Sequence, residues 1–354
     1  MSEVRVAAAG VLCFSERTDG KIVVLLGREK ETVGWRQGSN KWSGFSGRVE
    51  RGEDVQDGAA REFVEESLSV VPLTASMSVP TRVSDVSQVI RDRGRRVELG
   101  VQRSGRDANS EATAHVSFIH RVPHADYPAR FRSLRALLIE CDTRFRAYHR
   151  TKKEAERLPR LLFPGYRLSP ALTVVGGSQK QGGVEIDIWD DVLGAVVKQS
   201  LRLSEEAARE ARDVYEAWAE VLSYLDRNRN NHVLSHPAVT VQRVNRHVVG
   251  AYVNKCYLEK SEVRWWGLDE LERAGRHRPL EFRRFFADAL PELVTSVQAA
   301  ATATAVRKDD AGQTSSTEPP EEAASSETES GTKWRFRPPS RSWDRAAAPR
   351  WGRR

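Results

Sequence analysis

Apolar residues occur in short runs that alternate between a strand-like and a helix-like spacing. Val4–Phe14 and Lys21–Gly27 are near-continuous apolar stretches separated by the polar turn Ser15–Gly20, which predicts two strands joined as a hairpin. Glu31–Gly47, with its glycines, tryptophans and lysines, breaks the pattern and predicts a loop. Asp54–Ser67 returns to helical spacing, and Glu53 and Asp54 place negative charge at its start, where the helix dipole favours it. Strands are expected again at Val97–Gln102 and His115–Val122. The middle of the chain predicts mainly helix. Arg130–Arg160 is broken at Pro159, and Ser204–Asn228 opens on the cap-like Ser204-Glu205-Glu206-Ala207, with a strand at Val184–Trp189 between them. Val248–Leu258 is strand-like, and Leu280–Val297, with an internal Pro291, predicts a closing helix.

Beyond residue 300 the periodicity stops. Ala301–Thr332 consists mostly of Ala, Thr, Ser, Glu and Pro, too little apolar surface to offset the entropy of ordering, so 301–354 is expected to be a disordered tail. Its charge is blocked: 309–332 holds seven acids and no base, whereas 333–354 holds eight basic residues and one acid, interleaved with Trp334, Phe336, Trp343 and Trp351. The two blocks cancel, so the net charge of +7 belongs to residues 1–308 and favours anionic partners. With 354 residues, 39% hydrophobic and 30% charged, the chain can bury a sizeable core. Val6–Phe14 is far shorter than the roughly 20 apolar residues a membrane helix needs and has no signal-peptide flanks. Cys13, Cys141 and Cys256 are too scattered for a disulfide framework or a cysteine zinc site. The expectation is an intracellular, most simply cytoplasmic, protein without a membrane partner.

The chemistry concentrates in Gly47–Ser69, GRVERGEDVQDGAAREFVEESLS. On the expected helix Glu62, Glu65 and Glu66 fall within an arc of roughly 100°, with Ala60, Phe63 and Val64 facing away. Carboxylates that close repel by several tenths of a kcal/mol per pair. A hard divalent cation with oxygen ligands removes that penalty; a solvated acidic face is the plainer alternative. The register around the cluster favours the cation through a resemblance. Gly47, Glu53, Arg61, Glu62, Glu65 and Glu66 stand in the register Gly-x5-Glu-x7-Arg-Glu-x2-Glu-Glu, which resembles the box of the Nudix hydrolase family at six of its seven fixed positions. Leu68 replaces the last glycine, and Phe63 and Ser69 occupy aliphatic positions.

The resemblance implies an α/β fold, a Nudix-type α/β/α sandwich with a mixed sheet, to which this chain adds a largely helical insertion and the tail. The corresponding division is 1–125, carrying the box; 126–235, the insertion; 236–300, the end of the domain; and 301–354. Glu262–Leu271 is similar to the family's late strand and Trp-containing loop. The implied activity is hydrolysis of a nucleoside diphosphate linkage, a pyrophosphohydrolase reaction with Mg²⁺ or Mn²⁺. Carried over by position, Glu62 and Glu66 bind metal and Glu65 ligates it or orients the attacking water. Glu53 and Arg61 pair to hold the loop, and Gly47 brings its backbone to the metal. Glu259 and Glu262 are candidates for a further carboxylate from a late loop.

The loop before the box offers Trp42, to stack on a base or else to pack under the sheet, and Arg36 and Lys41 to meet phosphate. Arg91–Arg96 is a basic stretch. With the Arg- and Trp-rich tail, these features favour the 5′ end of RNA as substrate, in the manner of a decapping enzyme, with RNA contact through the tail. Small nucleotides, dinucleoside polyphosphates or diphosphoinositol phosphates are the alternative substrates, and a non-catalytic Nudix-fold RNA-binding subunit is the alternative class.

Overall fold

The structure is a computed structural model that describes residues 5–35, 38–103, 112–162, 172–180, 183–190, 195–202, 217, 233–244 and 247–312. The chain divides into a compact unit, Met1–Lys308, and a second unit, Asp309–Arg354, described only over 309–312. The expected helix Ser204–Asn228, all but residue 217, therefore lies outside the described residues, as do Arg36 and 313–354.

The compact unit is built on a seven-stranded sheet with the order β12-β2-β1-β6-β5, to which β3 adds beside β2 and β4 beside β1. These strands are β1 (Arg5–Glu16), β2 (Ile22–Glu29), β3 (Trp42–Ser43), β4 (Phe45–Arg48), β5 (Arg95–Arg103), β6 (Ala112–Arg121) and β12 (Lys260–Gly267). β1 runs parallel to β6 and antiparallel to β2 and β4, so the sheet is mixed. Burial of β1 on both faces explains its unbroken apolar run. Val11 and Cys13 enter one core with helix α1 (Val55–Glu66), helix α2 (Val83–Arg93) and the start of α3 (Tyr127–Leu162). Leu12 and Phe14 enter the other, with α4 (Leu268–His277) and α5 (Arg284–Gly312). The result is the expected α/β/α sandwich.

Several elements differ from the sequence reading. Helix α2 was not foreseen, although Val83, Val86 and Ile90 keep helical spacing; its β-branched residues dilute the signal. Strand β11 (His247–Val253), paired with β10 (Val239–Val244), ends before a 3₁₀ turn at Lys255–Leu258, so the expected strand Val248–Leu258 stops early. Glu262–Leu271, expected to include a Trp-containing loop, is instead strand β12 running directly into α4. α3 passes through Pro159 without ending, and α5 passes through Pro291 and continues to Gly312, beyond the expected boundary at 300. The insertion holds, besides α3, an antiparallel sheet of β7 (Leu172–Lys180), β8 (Gly183–Asp190) and β9 (Ala195–Arg202), of which only the middle strand was anticipated.

Helix α1 begins on Asp54, whose carboxylate accepts from the Gln56 amide at 2.9 Å. It ends in a Schellman turn: the Ser69 amide donates to the Val64 carbonyl at 2.8 Å and the Leu68 amide to the Glu65 carbonyl at 3.2 Å. That geometry needs a left-handed residue, normally glycine. Here Leu68 (φ 55°) and Ser69 (φ 56°) adopt it in glycine's place. Both are buried, and His236 Nε2 meets the Leu68 carbonyl at 3.1 Å while the Thr81 amide donates to the Ser69 carbonyl at 3.0 Å. Tertiary packing thus holds the corner at a cost of roughly 1–2 kcal/mol per left-handed residue. Ser69→Gly relieves that strain and loses only a hydroxyl contact to the Val64 carbonyl at 3.4 Å. The substitution is expected to stabilise the fold by about 1 kcal/mol, read from the midpoint of urea denaturation; a lower midpoint would show that the corner is unstrained.

Candidate active site

The helix start, the β4 strand and the turn after it place the box residues around one opening. Phe45 on β4 meets Phe63 of α1 edge-on at 5.5 Å, which fixes the helix against the strand. The Glu62 carboxylate lies against Gly47: a β-carbon on residue 47 would come within 2.2–2.4 Å of its atoms, so any larger residue there displaces that carboxylate.

Arg61 is the clamp that the resemblance implied. Its Nε and Nη2 donate to the two oxygens of Glu53 at 2.9 and 3.0 Å, and Nη2 also reaches the Arg48 carbonyl at 2.8 Å. This ties the turn to the helix, and Glu53 Oε2 accepts in addition from the Glu50 amide at 2.8 Å. The Arg61 hydrogen bond holds the Glu53 carboxyl below its ordinary range, and the Arg61 guanidinium is raised in turn. The same guanidinium reaches Glu62 Oε1 at 2.7 Å and lies 3.6 Å from Glu65 Oε2.

Glu62, Glu65, Glu259 and Glu50 line one cavity of about 560 Å³ together with Arg61. Burial raises the Glu62 carboxyl, and burial plus the charge of Glu62 pushes Glu65 up to about 7. Glu259 adds to both shifts. Glu262 does not join them: it pairs with Arg28 at 3.7 Å on the exposed side of β12. Of the two late carboxylates, the structure brings only Glu259 to the box.

Glu66 turns inward, unlike Glu62 and Glu65. Its Oε2 accepts from the Ser46 amide at 2.7 Å, and its Oε1 lies 3.1 Å from Nζ of Lys260. Lys260 is wholly buried. Its ammonium also reaches Glu29 Oε1 at 2.6 Å and Ser43 Oγ at 3.1 Å, and Arg283 Nη1 meets the same Glu29 oxygen at 3.2 Å. The lysine stem packs on Gly27, where a β-carbon would meet it at 3.0 Å. Burial raises the Glu66 carboxyl, with the Lys260 charge opposing. Nothing in the local spacing marks Lys260 as part of the site. Glu66, expected to bind metal, here meets the Ser46 amide with one oxygen and Lys260 with the other.

Trp42 is buried, meeting Trp266 edge-on at 5.4 Å with Phe282 packed on the same cluster. It is a core residue under the sheet, not a platform for a base. Lys41 is half-buried, and its carbonyl accepts from the Glu29 amide at 2.9 Å. Nothing in the structure places its side chain at the carboxylates.

The donor set suits a hard divalent cation: carboxylate oxygens only, and a mutual field that already lifts Glu62 and Glu65. Among the described residues no three acidic, His or Cys side chains yet converge on one point, because the Arg61 guanidinium bonds Glu62 and approaches Glu65. The fit is thus one of chemistry and location. It has a consequence for stability. Groups whose carboxyls are raised in the fold contribute stability at low pH and lose it as pH climbs through the raised value. Without metal, the domain is expected to weaken between about pH 4.5 and about pH 7, the interval over which Glu65 holds its proton in the fold but not in the unfolded chain. Saturating Mg²⁺ should therefore raise the melting temperature more at pH 8 than at pH 5. Equal shifts at both pH values would detach these carboxylates from the metal.

Residues 4–130 match the family profile described as the NUDIX domain. Over that stretch the chain is similar to Nudix hydrolases. The chain is also similar over 44 residues, at 48% identity, to the oxidized purine nucleoside triphosphate hydrolase of Mus musculus, which is 12% of this chain and 26% of that protein. The chain thus spans about a quarter of that relative. Among solved structures, the Nudix hydrolase RenU of M. smegmatis is 15% identical over 35% of this chain and 64% of its own, with a TM-score of 0.24. The Nudix domain of Shewanella oneidensis NrtR, in complex with ADP ribose, is 13% identical over 35% and 64%, with a TM-score of 0.21. Nudix enzymes generally use divalent metals such as Mg²⁺ or Mn²⁺.

Proposed function

We propose that the Nudix domain is a divalent-metal-dependent pyrophosphohydrolase that cuts a nucleoside diphosphate linkage. The observation that carries this reading is the approach of Glu62 to Gly47 beside Glu65, with Glu259 on the same cavity. Glu62, Glu65, Glu259 and the backbone at Gly47 would hold Mg²⁺ or Mn²⁺, which supplies charge neutralisation at the phosphates and lowers the pKa of bound water. Arg61, anchored on Glu53, orients Glu62 and fixes the turn that carries Gly47. Glu65, on the wall of the same cavity, is placed to orient the attacking water or accept its proton. Glu66 serves from behind, holding the Ser46–Gly47 backbone through the Ser46 amide.

Within that class we take the 5′ end of RNA as the substrate to test first. The net positive charge of residues 1–308 and the Arg- and Trp-rich sequence of 333–354 support it. Dinucleoside polyphosphates, diphosphoinositol phosphates and other small nucleotides come second. A non-catalytic RNA-binding role has one observation in its favour: Arg61 and Lys260 already neutralise Glu62 and Glu66 from within. Incubating the full chain with Mg²⁺ and capped RNA or a dinucleotide panel, then identifying products, separates the three. Release of a nucleoside diphosphate from capped RNA supports the first reading, and mononucleotides from dinucleotides alone support the second. RNA binding without any product supports the third and overturns hydrolysis.

A further inference from the structure

A second cavity of about 830 Å³ adjoins the carboxylate site and shares Arg5, Glu50 and Arg51 with it. β1 and β4 pair as far as Ala8↔Arg48, and Arg5 and Arg51, beyond that pair on the two segments, line both cavities. Arg48 lines the first cavity, and Arg96, Val6 and Val55 line the second. All four arginines are exposed. Arg5, Arg48 and Arg51 make no ion pair among the described residues, although Glu50, Glu62, Glu65 and Glu259 line the same opening. Cations set side by side without partners repel, and a multivalent anion relieves that repulsion through charge-assisted hydrogen bonds to the guanidinium forks.

We propose that Arg5, Arg48 and Arg51 form a subsite for a phosphate chain longer than the pyrophosphate that is cut, with its distal group over Val6 and Val55 beside Arg96. This deepens the hydrolase reading, on which it rests for the identity of the scissile end. The carboxylate end takes metal and the two phosphates of the broken bridge. The arginines take further phosphates, so the groove selects substrates by the number of phosphates. Both a dinucleoside polyphosphate and a 5′-triphosphorylated RNA present that chain.

The test is calorimetric titration of the full chain in metal-free buffer with inorganic pyrophosphate and tetrapolyphosphate. Tetrapolyphosphate is expected to bind at least about tenfold more tightly, and Arg5→Ala/Arg51→Ala should abolish the difference without changing the melting temperature, since both side chains are exposed. Equal affinities in the wild-type chain, or a preference that survives the double substitution, would overturn the subsite. Parallel titrations with a dinucleoside tetraphosphate and a 5′-triphosphorylated decanucleotide identify the source. Tighter binding of either, lost in the double variant, supports the proposal; neither exceeding pyrophosphate overturns it. Because no metal is present, these results stand apart from the hydrolase reading, whose own failure shows as absent products with Mg²⁺.

Discussion

Glu62→Gln is expected to lower turnover by at least a hundredfold while leaving the fold nearly as stable as before. Glu62 packs against Gly47, and its Oε1 accepts from Arg61, so it is tied to both the strand and the helix of the box. An amide keeps the size and one oxygen but removes the charge that would hold a divalent cation. Metal ions contribute several kcal/mol of transition-state stabilisation, and loss of about 2.7 kcal/mol is a hundredfold in rate. Stability changes little because burial already disfavours the charged form of Glu62. Steady-state kinetics beside thermal denaturation checks both halves. Undiminished turnover would remove Glu62 from the site, and loss of folding would make it a structural residue instead.

Lys260→Met is expected to cost about 3–5 kcal/mol of stability, the scale for removing one partner from a buried charge cluster. The ammonium is enclosed and touches Glu29, Glu66 and Ser43. Without it Glu29 retains Arg283, but Glu66 keeps only the Ser46 amide. Adding Glu66→Gln to the Lys260→Met background should recover part of the loss, since the uncompensated buried charge is then gone. Denaturant titration of the two single variants and the double variant closes the cycle. A Lys260→Met protein as stable as wild type would show that the cluster is not a structural ion pair. The same cluster makes Glu66→Gln an ambiguous probe of catalysis, because it disturbs packing along with any ligand role.

The parts of the site that sequence made legible are those held by local geometry. Strand β4, the turn after it and helix α1 carry Gly47, Glu53, Arg61, Glu62 and Glu65 close together in sequence, and the Glu53–Arg61 clamp forms as the family resemblance implies. The glycine missing at residue 68 did not change how the helix ends, because burial and the His236 and Thr81 hydrogen bonds hold Leu68 and Ser69 left-handed. Contacts distant in sequence were not legible. Glu259-Lys260-Ser261-Glu262 reads as an ordinary solvated charge run, yet the irregularity in the β12–β2 register between Lys260 and Glu262 turns the lysine into the core opposite Glu29. The same shift leaves Glu262 outside with Arg28. Trp42 has the look of a loop aromatic because β3 is only 2 residues long, and its burial comes from Trp266 and Phe282, which lie far along the chain. The three-stranded sheet of the insertion escaped for a similar reason: glycines and charges interrupt β7 and β9, so neither shows a clean strand period.

Mn²⁺ titration of the full chain at pH 8, followed by the paramagnetic signal of the free ion, tests the central claim most directly. Uptake by the wild-type chain that weakens more than about tenfold in Glu62→Gln and in Glu65→Gln is the predicted result. No uptake, or uptake indifferent to both substitutions, would contradict a metal site at the box.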